Sequence, residues 1–322
     1  MSNLTSKLIN DIELDFLTSF ASLQVVIGST ANFLVIILFA TTTELRRKNS
    51  DLLILHLSVA DFISLSTFLP WNIYLTNIGR GEYSEYYTSL NTFCLFLSGT
   101  AVLTVAVDKF VAVIYPLRYP TLITRARTLL MILGSWLVAT ALVIAHFFDY
   151  LSAGEHHHIL DKSLSALVLA KMLFVAVMYA VVFKAVRNQL SARNGRKVHV
   201  QNSSQITSKR EKAERVFLKS ALNTFIVVCL FYATYLPYAI LQMMSVTDFV
   251  AWRRLFSFIY INACINPFIY FFRMRRFRIA LLAVINKRKR FRDINAGNYM
   301  STNKVSSTID GEIGLRPDGP PF

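Results

Sequence analysis

Seven stretches of this chain are each long and apolar enough to cross a bilayer, and hydrocarbon tolerates only backbones that satisfy their own hydrogen bonds. They run Phe16–Ala40, Leu52–Leu75, Tyr87–Ile114, Leu129–Phe148, Leu164–Val186, Ala221–Met244 and Leu255–Phe272. Runs of about 20 apolar residues read as transmembrane helices, with limits placed to within several residues. Composition agrees: 54% of the 322 residues are hydrophobic and 16% are charged, too few charges for a soluble domain. The first stretch is as long as a full span and no basic region precedes it, so it does not read as a cleaved signal peptide. The expected fold is an all-α membrane protein with a seven-transmembrane helix bundle plus a short amphipathic eighth helix. Residues 1–15 would be an extracellular N-terminus, 16–272 the bundle, 273–290 the amphipathic helix and 291–322 a disordered cytoplasmic tail.

Charge sets the orientation. All but six of the 34 Lys and Arg fall on the side shared with the C-terminus. Five of the six (Lys7, Arg80, Lys162, Arg253 and Arg254) fall on the other side, and Lys171 interrupts a span. Positive loops stay in the cytoplasm, so the N-terminus is expected outside, in the plasma membrane. Nine acidic residues share that outer side: Asp11, Glu13, Asp15, Glu82, Glu85, Asp149, Glu155, Asp161 and Asp248. The net charge of +15 is therefore a topology charge, and no soluble basic domain exists that could bind nucleic acid. Asn3-Leu4-Thr5 is a glycosylation acceptor on the outer side. His156-His157-His158 reads as an ordinary polar loop before it reads as a zinc site.

Two polar insertions stand out. The last span ends Asn266-Pro267-Phe268-Ile269-Tyr270, and its proline leaves one backbone carbonyl without its helical partner. Basic residues and Phe277 then follow in Arg273–Phe277, as in a helix lying on the membrane surface. Asp61 sits mid-way along the second span, where a carboxylate costs roughly 2.5–3.5 kcal/mol on insertion scales and must face the bundle interior.

The N-P-x-x-Y run of Asn266–Tyr270, with Phe277 seven residues beyond, resembles the seventh-helix signature of the rhodopsin-like (class A) G-protein-coupled receptors, of which this chain looks like a divergent member. Other signatures follow in the corresponding spans. They are Gly28 and Asn32 in the first, Leu57–Asp61 in the second, Trp136 in the fourth, and Phe231, Tyr235, Pro237 and Tyr238 in the sixth. The resemblance implies that Asp61, Ser98, Asn262 and Asn266 form a polar core able to hold a sodium ion, with Asn32 bracing Asp61. Without an ion, the same groups would hydrogen-bond each other and water. It implies further that Asp108 and Lys109 stand where the family has D-R-Y, and that Phe231, Tyr235, Pro237, Pro267 and Tyr270 take part in activation. The partners implied are an extracellular ligand, a heterotrimeric G protein, membrane lipid and an arrestin recruited to phosphorylated Ser301, Thr302, Ser306, Ser307 or Thr308.

The departures are as informative. Lys109 replaces an Arg, so it cannot present a planar fork, and Tyr235 replaces a Trp; both would suit a weakly coupling, silent receptor. Cys94, Cys229 and Cys264 all lie in spans, so the family's usual outer disulfide is not expected. Lys171 takes the place of the fifth-helix proline, near Gly99 and Phe231 by register. It either snorkels to a head group or reaches inward to a switch or an anionic ligand. Asn91 stands where aminergic receptors carry Asp, which argues against an amine. A peptide is slightly favoured by the acidic outer face, and a lipid or small anionic ligand is the alternative, with Lys171 and Arg254 as its contacts. A transporter would show paired broken helices in repeated halves, and none is apparent. No catalytic motif points to an enzyme.

Overall fold

A computed structural model describes residues 2–77, 85–151, 157–197, 225–226, 228–244 and 249–286. Among these residues every regular element is helical. Helix α1 spans Ser2–Thr41. Helix α2 runs as Asn49–Ile63, a π turn over Ser64–Phe68, and then Leu69–Asn77. Then follow α3 (Glu85–Ile114), α4 (Arg125–Leu151) and α5 (His157–Lys197). Helix α6 is described over Val228–Met243, and α7 spans Phe249–Arg273. Six helices carry a segment long and apolar enough to cross a membrane; described α6 is apolar but shorter, and the inner part of the expected sixth span lies outside the described residues.

Helix α3 occupies the middle, packed against α2, α4 and α5, while α1 packs against α2 and α7. Burial follows from that arrangement. On α4 only one stripe, including Ser135 and Ala139, is buried, whereas Leu129, Leu130, Leu133 and Leu137 are exposed to what would be acyl chains. A helix apolar all round needs no water-facing side in lipid. Gly28 allows a close approach: a Cβ there would stand 2.6 Å from both Cys264 Sγ and Leu65 Cδ1, so a larger residue would make these side chains shift where α1 seats against α2 and α7.

The limits differ from the sequence expectation in places. α1 begins at Ser2 and not near Phe16, so the segment expected as an outer terminus is helical. It contains no Gly or Pro to stop a helix propagating out of the membrane. The π turn in α2 was not foreseen. It precedes Pro70, which has no N–H to give, and the Leu69 N–H donates five residues back to the Ser64 carbonyl. Described by itself, the segment after Met274 forms a further helix, α8, over 275–286, with Phe277 and Ala280 buried and Arg275, Arg276 and Arg278 exposed.

Candidate polar core and switch site

Asp61 is completely buried, and its carboxylate ties three helices together. Ser98 on α3 donates to Oδ1 at 3.2 Å, and Asn266 Nδ2 on α7 donates to Oδ2 at 2.8 Å. A buried carboxylate is tolerable only with such donors, because hydrogen bonds to a charged group are the strong ones. Asn266 sits in α7 one turn after Asn262, and both are buried. Asn266 Oδ1 and both polar atoms of Asn262 have no hydrogen-bond partner among the described groups. A cavity of about 10 Å³, room for one water-sized particle, lies alongside, lined by Ser64, Cys94, Ser98, Tyr235 and Tyr260 among others.

The carbonyl freed by Pro267 is accounted for. Its missing N–H would have bonded Ala263, and the Ala263 carbonyl instead accepts from Asn32 Nδ2 at 3.0 Å. The same Asn32 amide donates to the Gly28 carbonyl, also at 3.0 Å. Asn32 therefore braces α7 and not Asp61, as the sequence reading had it. A proline kink can be a permanent feature of a membrane helix when a neighbouring side chain replaces the lost donor, as here. Two further contacts join α1 to α7: Gln24 Nε2 donates to the Ser257 carbonyl at 2.9 Å, and Arg254 on α7 forms a two-pronged ion pair with Glu13, including Nη2 to Oε2 at 2.7 Å. Arg254, expected as a ligand contact, is thus already engaged by an acid of its own chain.

On α6, Phe231 and Tyr235 stack with ring centroids 4.2 Å apart, and both are buried. Pro237 is exposed on the outer side of the same helix, and the Tyr238 ring packs near Phe256 of α7. The Tyr232 hydroxyl donates to the Met172 carbonyl of α5. Tyr270 of α7 is buried. Asn91 and Asn3 fall on α3 and α1, with side chains outside the described residues, as are Arg253, His156 and the whole tail from 287 onward.

Lys171 does not snorkel. Its Nζ is enclosed, has no hydrogen-bond partner among the described residues, and lies 4.2 Å from the centroid of the Phe96 ring. A Cβ at Gly99 would come 3.3 Å from that nitrogen and 3.3 Å from Phe231 Cζ, so glycine makes the notch the ammonium occupies. Cation–π attraction offers about 2 kcal/mol when desolvated, against the roughly 2.5–3.5 kcal/mol cost of a cation at this depth.

At the inner end of α3, Asp108 is buried and accepts two hydrogen bonds. Lys109 Nζ gives one at 2.7 Å to Oδ2, and the Tyr119 hydroxyl gives one at 2.7 Å to Oδ1. Burial, and then the neighbouring Asp108 carboxylate, push the Tyr119 phenol well above its ordinary range, so it remains a donor. Asn49 Nδ2 donates to the Ile123 carbonyl at 2.7 Å, and Arg125 Nη1 to that of Arg46 at 3.0 Å. The second inner loop is thereby strapped to α2 and α3.

Residues 31–270 match the model of the "7 transmembrane receptor (rhodopsin family)", about three quarters of the chain. The chain belongs to the rhodopsin family of seven-transmembrane receptors. It is a multi-pass membrane protein of a family of receptors, not of enzymes. Similar curated proteins include the alpha-1A adrenergic receptor of Homo sapiens, 24% identical over 292 residues, with 76% of this chain and 62% of the relative covered. The Rattus norvegicus receptor of that name is 24% identical over 292 residues with the same coverage, and the Oryzias latipes one is 21% identical over 276 residues, covering 72% of this chain and 58% of the relative. The match spans about three fifths of the human relative's length.

The oxygen donors present fit the sodium ion that the rhodopsin-family resemblance implies. Asp61 supplies charge, and Ser98 and the two Asn side chains supply hard neutral oxygens, of which Asn262 Oδ1 and Asn266 Oδ1 are buried without partners. Among the described residues no group of three or more His, Cys, Asp or Glu could hold a softer metal. What the sequence missed here is the Glu13–Arg254 pair and the Asn32–Ala263 bond. Both join positions more than 200 residues apart, for which one sequence offers no register.

Proposed function

We propose that this chain is a G-protein-coupled receptor of the plasma membrane, with its N-terminus outside, that converts binding of an extracellular ligand into an outward swing of α6. The observation that carries the reading is the junction of Asp61, Ser98 and Asn266, which makes α2, α3 and α7 share one set of polar contacts at membrane depth. Such a set has more than one satisfied arrangement, because unused acceptors on Asn262 and Asn266 stand ready beside it. Changing it repacks α7 and, through the cavity wall at Tyr235, the stacked pair on α6. Pro237 supplies the weak point about which α6 bends. A heterotrimeric G protein would then meet the basic inner loops, and an arrestin the tail. Sodium bound at Asp61 would supply a positive charge favouring one arrangement of the core. Asn3 would carry a glycan. Lys109, holding Asp108 as a point charge, favours weak coupling.

Two ligand classes divide the outer side. A peptide suits the acidic outer face and the exposed rings of Trp71 and Tyr74. A lipid or small anionic ligand suits Lys171, and the enclosed, unpartnered ammonium is a specific observation in its favour. The relatives are adrenergic receptors by name, but Asn91 leaves an amine without the expected counter-charge. Nucleotide exchange on purified G protein, measured for the native protein beside Lys109→Arg, tests the coupling. Exchange by the native protein or by the variant alone fits an efficient or a weak receptor respectively, and exchange by neither, across G-protein subtypes and a ligand library, refutes coupling.

A further inference from the structure

We propose that Lys171 is the anchor for an anionic head group, carboxylate or phosphate monoester, of an amphiphilic ligand that inserts between α3, α5 and α6. This rests on the receptor reading and gives its ligand a chemistry and a place.

Four observations carry it. The side chain is partly buried, and its Nζ is wholly enclosed yet has no hydrogen-bond acceptor among the described residues. A cation in hydrocarbon ordinarily finds a carboxylate or leaves for the interface. Glu13, Asp61 and Asp108, the acids whose bonds are described within the bundle, are each engaged elsewhere: with Arg254, with Ser98 and Asn266, and with Lys109 and Tyr119. The notch is also shaped for the group. Gly99 leaves Nζ its space, since a Cβ there would stand 3.3 Å from it, and the face of Phe96 lies 4.2 Å away, an attraction for the cation that offers no hydrogen bond. Three ammonium donors therefore stand unused in a low-dielectric site, where a charge-assisted bond is at its strongest.

The notch shares its walls with the switch. Gly99 adjoins Ser98, which holds Asp61, and Phe231 stacks on Tyr235. Ser98 and Tyr235 both line the small cavity on the far side. Lys171 Nζ and the Phe231 ring border the same notch at Gly99, so a head group pairing with the ammonium there would press on Phe231, and that ring is stacked on Tyr235 of α6. The apolar tail stays among the exposed, lipid-facing side chains of α5 and α6, such as Phe174 and Ile240. Entry from the bilayer would need no wide opening on the outer face.

The test uses the full-length receptor in phosphatidylcholine nanodiscs, which carry no net charge, and reads melting temperature against probe concentration. The probes are oleate and dodecyl phosphate, with oleyl alcohol as the uncharged control. At least one acid should stabilise the native receptor at a lower concentration than the alcohol, and which acid does so separates carboxylate from phosphate recognition. Lys171→Met should raise the half-saturating acid concentration about tenfold or more, equivalent to about 1.4 kcal/mol. Lys171→Arg should largely restore it. The melting curve of each variant in the absence of probe reports its folding. The proposal is overturned if neither acid stabilises the native protein, if acid and alcohol act alike, or if Lys171→Met responds as the native protein does. Because the readout is binding, such a failure leaves G-protein coupling to be judged by nucleotide exchange.

Discussion

Asp61 and Lys171 are both ionisable side chains held at membrane depth in the same bundle, and they are treated in opposite ways. Asp61 is fully buried and accepts from two helices, each donor itself anchored in a packed core. Lys171 is enclosed by rings and a glycine notch, with no acceptor. The first is a charge whose cost is offset by the protein's own polar groups, and such a group can serve as a joint between helices. The second keeps its cost until something from outside the chain offsets it, which is the condition for a binding group. Buried charge by itself therefore says little, and the inventory of its donors and acceptors decides its role.

The comparison can be broken most forcefully from the Asp61 side. Asn266→Ala removes the shorter of its two bonds and leaves a buried carboxylate oxygen bare, at about 3 kcal/mol, visible as a lower melting temperature in detergent. A loss no larger than that of an exposed control would mean Asp61 is not held as described. Asn32→Ala should cost about 2 kcal/mol, because the Ala263 carbonyl loses the donor standing in for that of Pro267. Restoring the helical donor with Pro267→Ala in the same chain should recover part of it, a non-additivity that separates this account from simple loss of packing.

Lys171→Met should move stability the other way, raising it by about 1 kcal/mol in the absence of ligand, since the desolvation cost of the cation exceeds its ring contact. A fall would mean that the ammonium has a partner after all. Tyr119→Phe is the mildest change, at about 0.5 kcal/mol for a half-buried hydroxyl. It also carries a pH signature. The phenol is raised in the fold, so its contribution is complete below the unfolded value near pH 10 and is lost as pH rises beyond it. Above that pH the native receptor should lose stability more steeply than Tyr119→Phe.

The spans and the mid-membrane position of Asp61 were legible in the sequence because hydropathy and charge are local properties. The need for a substitute donor near Pro267 was legible as well, but its identity was not, because an orphan carbonyl does not name its partner. The resemblance sent Asn32 to Asp61, whereas its amide spans Gly28 and Ala263. Lys171 could be read as snorkelling or as inward until the notch at Gly99 fixed its direction, since a long flexible stem serves either course. The π turn before Pro70 begins at Ser64, which lines the cavity, and hydrophobic periodicity carries no sign of a single extra residue in a turn.

The central claim is that Asp61 is a self-contained polar joint with oxygens to spare for a cation. It is tested most directly by the melting temperature of the receptor in sodium chloride against choline chloride at equal ionic strength, for the native protein and for Asp61→Asn. The account predicts that sodium stabilises the native receptor and leaves the variant unmoved; an equal response of the two proteins to sodium would contradict it.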